Sequence, residues 1–144
     1  MADLGEKLRP AIEPLLDPGE ELRGVCVGAE SGMFKGRQVA IATTDRRLIV
    51  QGVSRRFAAD GDPLLLTPDR ISEVSVDGAG GGWIDVGPAI LDATAVTLRL
   101  RTADGEKLKV NMMKATGPLG GLGGGEAQRE GLEALAAWFS ENAQ

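Results

Sequence analysis

The residues best suited to binding an anion lie around the segment TTDRR, at positions 43–47. Between positions 35 and 56 the chain carries six basic residues and a single acid, Asp45, although its formal net charge is −5. A group of this kind could bind phosphate, an anionic lipid or an acidic partner. The alternative is that TTDRR forms a tight turn between two strands.

Two properties of the segment favour the turn. Asp45 can accept hydrogen bonds from the backbone of its own turn, as aspartates in turns commonly do. Arg46 and Arg47 are adjacent in a strand-like segment, so their side chains point to opposite faces and need not act together. We therefore predict that Thr44, Asp45 and Arg47 form a structural hairpin corner.

A second candidate for anion binding is the segment SGMFKGR, at positions 31–37. Met33 and Phe34 are adjacent apolar residues at a glycine-flanked tip, and Lys35 and Arg37 add positive charge beside them. This combination suits shallow, weak insertion into an anionic membrane. The alternative is that Phe34 folds back onto the protein and Lys35 is merely solvated, since aromatic side chains more often pack within their own chain.

Few residues of this chain could perform catalysis. The sequence contains no histidine, which is the most common general base and metal ligand. The single cysteine, Cys26, lies in an alternating apolar segment that predicts a buried structural thiol. The glycine-rich run GPLGGLGGGEA, at positions 117–127, lacks the Gly-Lys-Ser/Thr ending of a phosphate-binding loop and is interpreted as a connector. We predict no catalytic residue, no metal ligand, no cofactor and no small-molecule substrate.

Length, composition and charge limit the remaining classes. A chain of 144 residues with 42% hydrophobic residues is long enough to fold as one domain. Its acidic charge argues against a general nucleic-acid binder. The chain shows no secretory signal and no apolar run long enough to span a bilayer. A lone cysteine fits a reducing compartment, so a cytoplasmic location is expected.

The hydrophobic periodicity predicts a mainly β domain between two helical segments. Residues 1–17 have apolar residues at helical spacing, but Pro10 and Pro14 should break this helix into two pieces. Residues 18–113 carry alternating apolar positions typical of short strands, among them WIDVG at 83–87 and a hairpin that turns at Asp104 and Gly105. A glycine-rich loop at 114–125 precedes a C-terminal helix at 126–143.

Three segments in this pattern resemble bacterial pleckstrin homology (PH) domains, particularly the YokE-like group. They are PGEELRGVCVG, IATTDRRLIV and LLLTPDRISEVSVDG. In the second segment the resemblance rests on Thr44, Asp45, Arg47 and the apolar residues 48–50. In the third it rests on a Thr-Pro pair followed by spaced apolar residues, and it extends over residues 17 to 140.

The resemblance implies a seven-stranded bent antiparallel barrel with a capping C-terminal helix and an N-terminal helical segment. It implies a binding or assembly module without catalytic activity, whose partner is another protein or further copies of this chain. We expect exposed edges between the first and last strands to pair with that partner. Within such a barrel the loop at 31–37 joins the first two strands at the open rim. Weak binding of anionic lipid or phosphate there, through Lys35 and Arg37, is the alternative function.

Overall fold

A computed structural model describes most of the chain as three helices and seven strands. The described residues are 4–32, 37–54, 58–77, 83–92, 95–113 and 125–142. The helices are α1 (Leu4–Ile12), α2 (Trp83–Asp92) and α3 (Gly125–Asn142). The strands are β1 (Leu22–Glu30), β2 (Gln38–Thr44), β3 (Leu48–Gly52), β4 (Leu64–Leu66), β5 (Ile71–Val76), β6 (Ala95–Thr102) and β7 (Lys107–Met113). Two short 3-10 turns lie at Glu13–Leu15 and Pro68–Arg70.

The strands form one antiparallel sheet that curls into a half-barrel, in the order β4-β3-β2-β1-β7-β6-β5. The predicted mainly β architecture, with seven antiparallel strands between an N-terminal and a C-terminal helix, is confirmed. The predicted position of the free edges was wrong, because β1 and β7 pair with each other through Ala29 and Glu30. Within the described residues the two edge strands are instead β4 and β5.

The segment WIDVG is the start of a helix and not a strand. Val86 and Ile90 are four residues apart on one face of α2, and both are fully buried. Gly87 lies so close to Ser140 and to the Ala136 carbonyl of α3 that a Cβ atom would overlap them. The prediction failed because five residues are too few to distinguish a period of 2 from a period of 3.6.

The main hydrophobic core lies between the inner face of the sheet and the helices α2 and α3. It contains the inward-facing residues of the sheet together with a cluster of three aromatic rings. Trp138 and Phe139 of α3 meet Trp83 of α2, with ring centroids between 5.1 and 5.9 Å apart. The C-terminal helix is thus part of the core and not an appendage to it.

Helix α3 also fills a gap in the sheet. Strand β1 pairs with β7 only at its last two residues, so the backbone of its earlier part lacks a strand partner on that side. The amide of Gln128 accepts a hydrogen bond from Val27 N–H and donates one to Val27 C=O, each at 2.9 Å. Gly131 approaches the Val25 carbonyl so closely that a side chain there would overlap it. The helix therefore satisfies the backbone groups of Val27, which a strand would otherwise pair.

Helix α1 covers the opposite, outer face of the sheet. Leu8 and Ile12 are fully buried against Ala40, Ala42 and Ile49 of β2 and β3. The N-terminal segment has the expected two pieces, since α1 ends at Ile12 and a 3-10 turn containing Pro14 follows. Strands β2 and β3 are consequently buried on both faces, which fits their nearly continuous apolar sequences.

Candidate functional site

The residues 45–47 connect β2 to β3, and the corner is held by local hydrogen bonds. The hydroxyl oxygen of Thr44 accepts the backbone N–H groups of Arg46 and Arg47, at 3.1 and 3.0 Å. Asp45 does not bond to its own turn in the way that the sequence suggested. Its carboxylate accepts the Glu21 N–H at 2.9 Å, and its own N–H donates to the Glu21 carbonyl at 3.1 Å. Thr44 shapes the corner, and Asp45 attaches it to the start of β1.

Arg47 forms a bidentate, nearly buried ion pair with Glu20. Its Nε donates to Oε2 and its Nη2 donates to Oε1 of Glu20, both at 2.9 Å. Nη2 also donates to the Leu15 carbonyl at 2.7 Å, at the end of the 3-10 turn that follows α1. The side chain of Glu20 has no exposed surface, and that of Arg47 is 13% exposed. Arg47 thus links three chain segments and has little surface left for a ligand.

The surroundings of Glu20 keep it ionised. Burial alone raises the pKa of this carboxyl, but several favourable contacts outweigh it and lower the pKa to about 2. These contacts are the hydrogen bonds from Arg47, from the backbone N–H of Asp17 and from the Thr44 hydroxyl, together with the charge of Arg47. Glu20 is the functional partner that the sequence analysis missed. The available signal was an acid after the Asp17-Pro18-Gly19 turn, but the spacing to Arg47 does not identify the pair.

The loop candidates are only partly within the described residues. Met33, Phe34 and Lys35 lie outside them. Arg37 is half exposed, and its Nη1 atom lies 3.3 Å from a carboxylate oxygen of Asp60. This ion pair places Arg37 beside the segment that precedes β4, a neighbour that sequence spacing did not indicate.

Cys26 lies in the core, with no exposed surface. Burial raises the pKa of its thiol to about 12, and the sulfur atom contacts the Ile41 carbonyl at 3.8 Å. A thiol in this setting stays protonated and is a poor nucleophile. Across the described ranges, no three acidic or cysteine side chains come together as a metal site.

In the described part of the chain, the sheet leaves an open seam between its two edge strands, which we define as Leu64–Leu66 of β4 and Ile71–Val76 of β5. The Asp77 N–H donates to the Thr97 carbonyl of β6 at 3.0 Å. In an antiparallel ladder, the backbone groups of successive residues point alternately toward and away from the neighbouring strand. The backbone groups of Val74 and Val76 therefore point away from β6. A cavity of about 360 Å³ lies at one end of the seam. Leu65, which lines this cavity, is 39% exposed.

In the part of the chain that the structure describes, no helix is both long and apolar enough to cross a membrane.

No known family model matches the chain, and no curated protein matches it. Among solved structures, it is similar to the crystal structure of a pleckstrin homology domain from Shewanella amazonensis. The sequence identity is 17% and the TM-score is 0.46, and the alignment covers 96% of this chain and 99% of that domain. This similarity by itself assigns no ligand, partner or activity to this chain.

Proposed function

We propose that this chain is a non-enzymatic binding module that acts through protein–protein contacts, and that the open seam is its contact surface. The partner that we propose to test is a second copy of the same chain. The observation that carries the proposal is the unpaired outer edge of β5, where backbone groups of Val74 and Val76 point away from β6.

Strand addition explains why such an edge would bind a protein segment. An extended segment placed beside β5 would pair with the free N–H and C=O groups and would continue the sheet. On the facing strand β4, the exposed Leu65 offers apolar surface to the same segment. The backbone would supply the affinity, and the neighbouring side chains would supply the specificity.

The test compares two variants that introduce the same charge at two leucines that are exposed among the described residues. Leu65→Glu places a carboxylate in the seam, and Leu91→Glu places one on α2, where the wild-type leucine is 48% exposed. The oligomeric state is measured by size-exclusion chromatography with light scattering, from micromolar to millimolar protein. We expect the wild type and Leu91→Glu to associate, and Leu65→Glu to associate at least about tenfold more weakly, since a charge in the contact must be desolvated.

Hydrogen exchange identifies the surface independently of the variants. Association through the seam would slow the exchange of the Val74 and Val76 amides, and would leave the amides of α2 unchanged. A wild type that stays monomeric throughout the concentration range would remove self-association. Association with unchanged exchange at Val74 and Val76 would remove the seam as its surface.

Binding of anionic lipid or phosphate through the loop at 31–37 stays a prediction. The Arg37–Asp60 ion pair lowers the net positive charge available at the end of this loop. Co-sedimentation with anionic vesicles, compared between the wild type and Phe34→Ala, tests it separately from the seam.

A further inference from the structure

The outer face of the β6–β7 hairpin carries four basic residues that face one another across the two strands. We call Arg99, Arg101, Lys107 and Lys109 the basic ladder. Arg99 lies directly opposite Lys109, and Arg101 lies directly opposite Lys107. Like charges at directly opposed positions destabilise a sheet unless an anion lies between or beside them.

The two ends of the basic ladder differ in how this charge is balanced. At one end, Asp77 accepts two hydrogen bonds from Arg99, at 2.6 and 3.1 Å. The positive charge of Lys109 also contributes to lowering the pKa of Asp77, after the larger effects of Arg99. This end of the basic ladder therefore contains its own counterion.

The other end has no such counterion among the described residues. Neither Arg101 nor Lys107 makes an ion pair within that part of the chain. Glu73 is opposite Arg101 in the register of β5 and β6, but its carboxylate is not within ion-pair distance of the guanidinium. Among the described residues, these two neighbouring cations thus have no bonded anion, in a protein that is acidic overall.

A cavity with a volume of about 500 Å³ lies over β5, β6 and β7. This volume falls within the range of roughly 300 to 1,000 Å³ that is typical of small-molecule sites. Its lining includes all four residues of the basic ladder and one acid, Glu73. Trp83 also lines it and supplies an apolar ring, and Leu100 and Leu108 line it although their side chains are buried on the inner face of the sheet.

We propose that this cavity binds the phosphate group of a phosphate monoester, with Arg101 and Lys107 as the contacting residues. A phosphate monoester carries nearly two negative charges at neutral pH, so one group can balance both cations. The planar guanidinium of Arg101 can donate two parallel hydrogen bonds to phosphate oxygens, and Lys107 adds a point charge. The apolar lining would contact the organic part of the ligand. The cavity shares residues 72–75 of β5 with the open seam, but Arg101 and Lys107 lie on β6 and β7, outside the seam.

The experiment titrates the full chain with inorganic phosphate and with glycerol phosphate at low ionic strength. Binding is followed by the backbone amide resonances of residues 99–109 and by tryptophan fluorescence, to which Trp83 at the cavity and the neighbouring Trp138 both contribute. The test variant is Arg101→Gln/Lys107→Gln. The matched control is Arg9→Gln/Arg46→Gln, which removes the same charge at exposed positions outside the cavity.

We expect glycerol phosphate to shift the resonances of residues 99–109, and to bind the test variant at least about tenfold more weakly than the wild type or the control. Because Arg101 and Lys107 are exposed, the test variant should fold, and its circular dichroism checks this. Equal affinities for the test variant and the control would overturn the proposal. So would shifts that are spread over all basic residues of the surface.

A second experiment, with lipid vesicles, distinguishes a phosphate monoester on a lipid headgroup from one on a soluble molecule. Vesicles of phosphatidylcholine, with and without an equal part of phosphatidic acid, are sedimented with the wild type and with both variants. Binding of the wild type and control to the acidic vesicles, lost in the test variant, would assign the phosphate to a lipid headgroup. Binding of glycerol phosphate alone would assign it to a soluble molecule. Failure of both experiments would overturn the site.

Discussion

The outer face of the sheet has two halves, and among the described residues a helix covers only one of them. On β2 and β3 this face carries Ala40, Ala42 and Ile49, and α1 covers it completely. On β6 and β7 the same side of the sheet carries the basic ladder, and no described helix covers it. One half thus contributes a second small core, and the other half carries exposed charged side chains.

Each half also contains a two-pronged arginine–carboxylate ion pair, and the two pairs differ in burial. The Arg47–Glu20 pair is almost enclosed and attaches the N-terminal segment to the sheet. The Arg99–Asp77 pair has similar contacts, but its side chains are 50% and 48% exposed. Water competes for the exposed pair and weakens it, whereas breaking the enclosed pair leaves a charge without a partner. Similar geometry therefore has different energetic consequences in the two halves.

The largest difference between the halves should be in the free energy of unfolding, when Arg47 and Arg99 are each replaced by alanine. Arg47→Ala leaves Glu20 buried without a counterion and removes the donor to the Leu15 carbonyl. We expect the free energy of unfolding to fall by about 4 kcal/mol, as for other broken buried ion pairs. Arg99→Ala is the matched control, and its effect should be much smaller because both partners are exposed. Urea denaturation followed by tryptophan fluorescence measures both, and equal losses would contradict the distinction.

The pH dependence of stability should come from the enclosed pair more than from the exposed one. Because the folded pKa of Glu20 is about 2 and its ordinary value is 4.5, its contribution is complete above about pH 4.5 and is lost as the pH falls through 2. A shift of this size corresponds to about 3 kcal/mol. The free energy of unfolding of Glu20→Gln, measured from pH 7 to pH 2, should therefore be lower at pH 7 and should decline less in acid.

Asp77→Asn is the control for this measurement. The pKa of Asp77 is also lowered, chiefly by the hydrogen bond from Arg99, but the group is exposed. The free energy of unfolding of Asp77→Asn should therefore depend on pH nearly as that of the wild type does. If Glu20→Gln declined in acid as steeply as the wild type does, Glu20 would not be the titrating group.

The smallest expected effect on the free energy of unfolding comes from the basic ladder, on the β6–β7 half of the outer face. Lys107→Glu replaces a like-charge contact with Arg101 by an opposite-charge contact, so we expect a gain of about 0.5 kcal/mol in the free energy of unfolding. The gain should shrink at high salt, because exposed charges are screened. Lys107→Gln, which removes the repulsion only, should give a smaller gain. A loss of stability in Lys107→Glu at low salt would mean that the basic ladder carries no repulsion.

Much of this contrast between the halves could be predicted from sequence. The alternation in TLRLR and KLKVN is typical of two strands with one polar face, and the structure places Arg99 and Lys109 on that face. The apolar sequences of β2 and β3 are typical of strands buried on both sides. The helix α2 was not predicted, since its first five residues do not show a helical period and its fit depends on the contact between Gly87 and α3.

What the sequence by itself determined are local features: most of the strands and their faces, the corner at Thr44, the two-piece N-terminal segment and the C-terminal helix, but not the helical state of WIDVG. These features depend on residues within a few positions of one another, so periodicity and turn chemistry predict them. Only the tertiary structure decided that Glu20 pairs with Arg47 and that Asp77 pairs with Arg99, and that the sheet opens between β4 and β5 instead of beside β1. The partners in these contacts come from distant parts of the chain, and the pairing of β1 with β2 and of β5 with β6 brings them together.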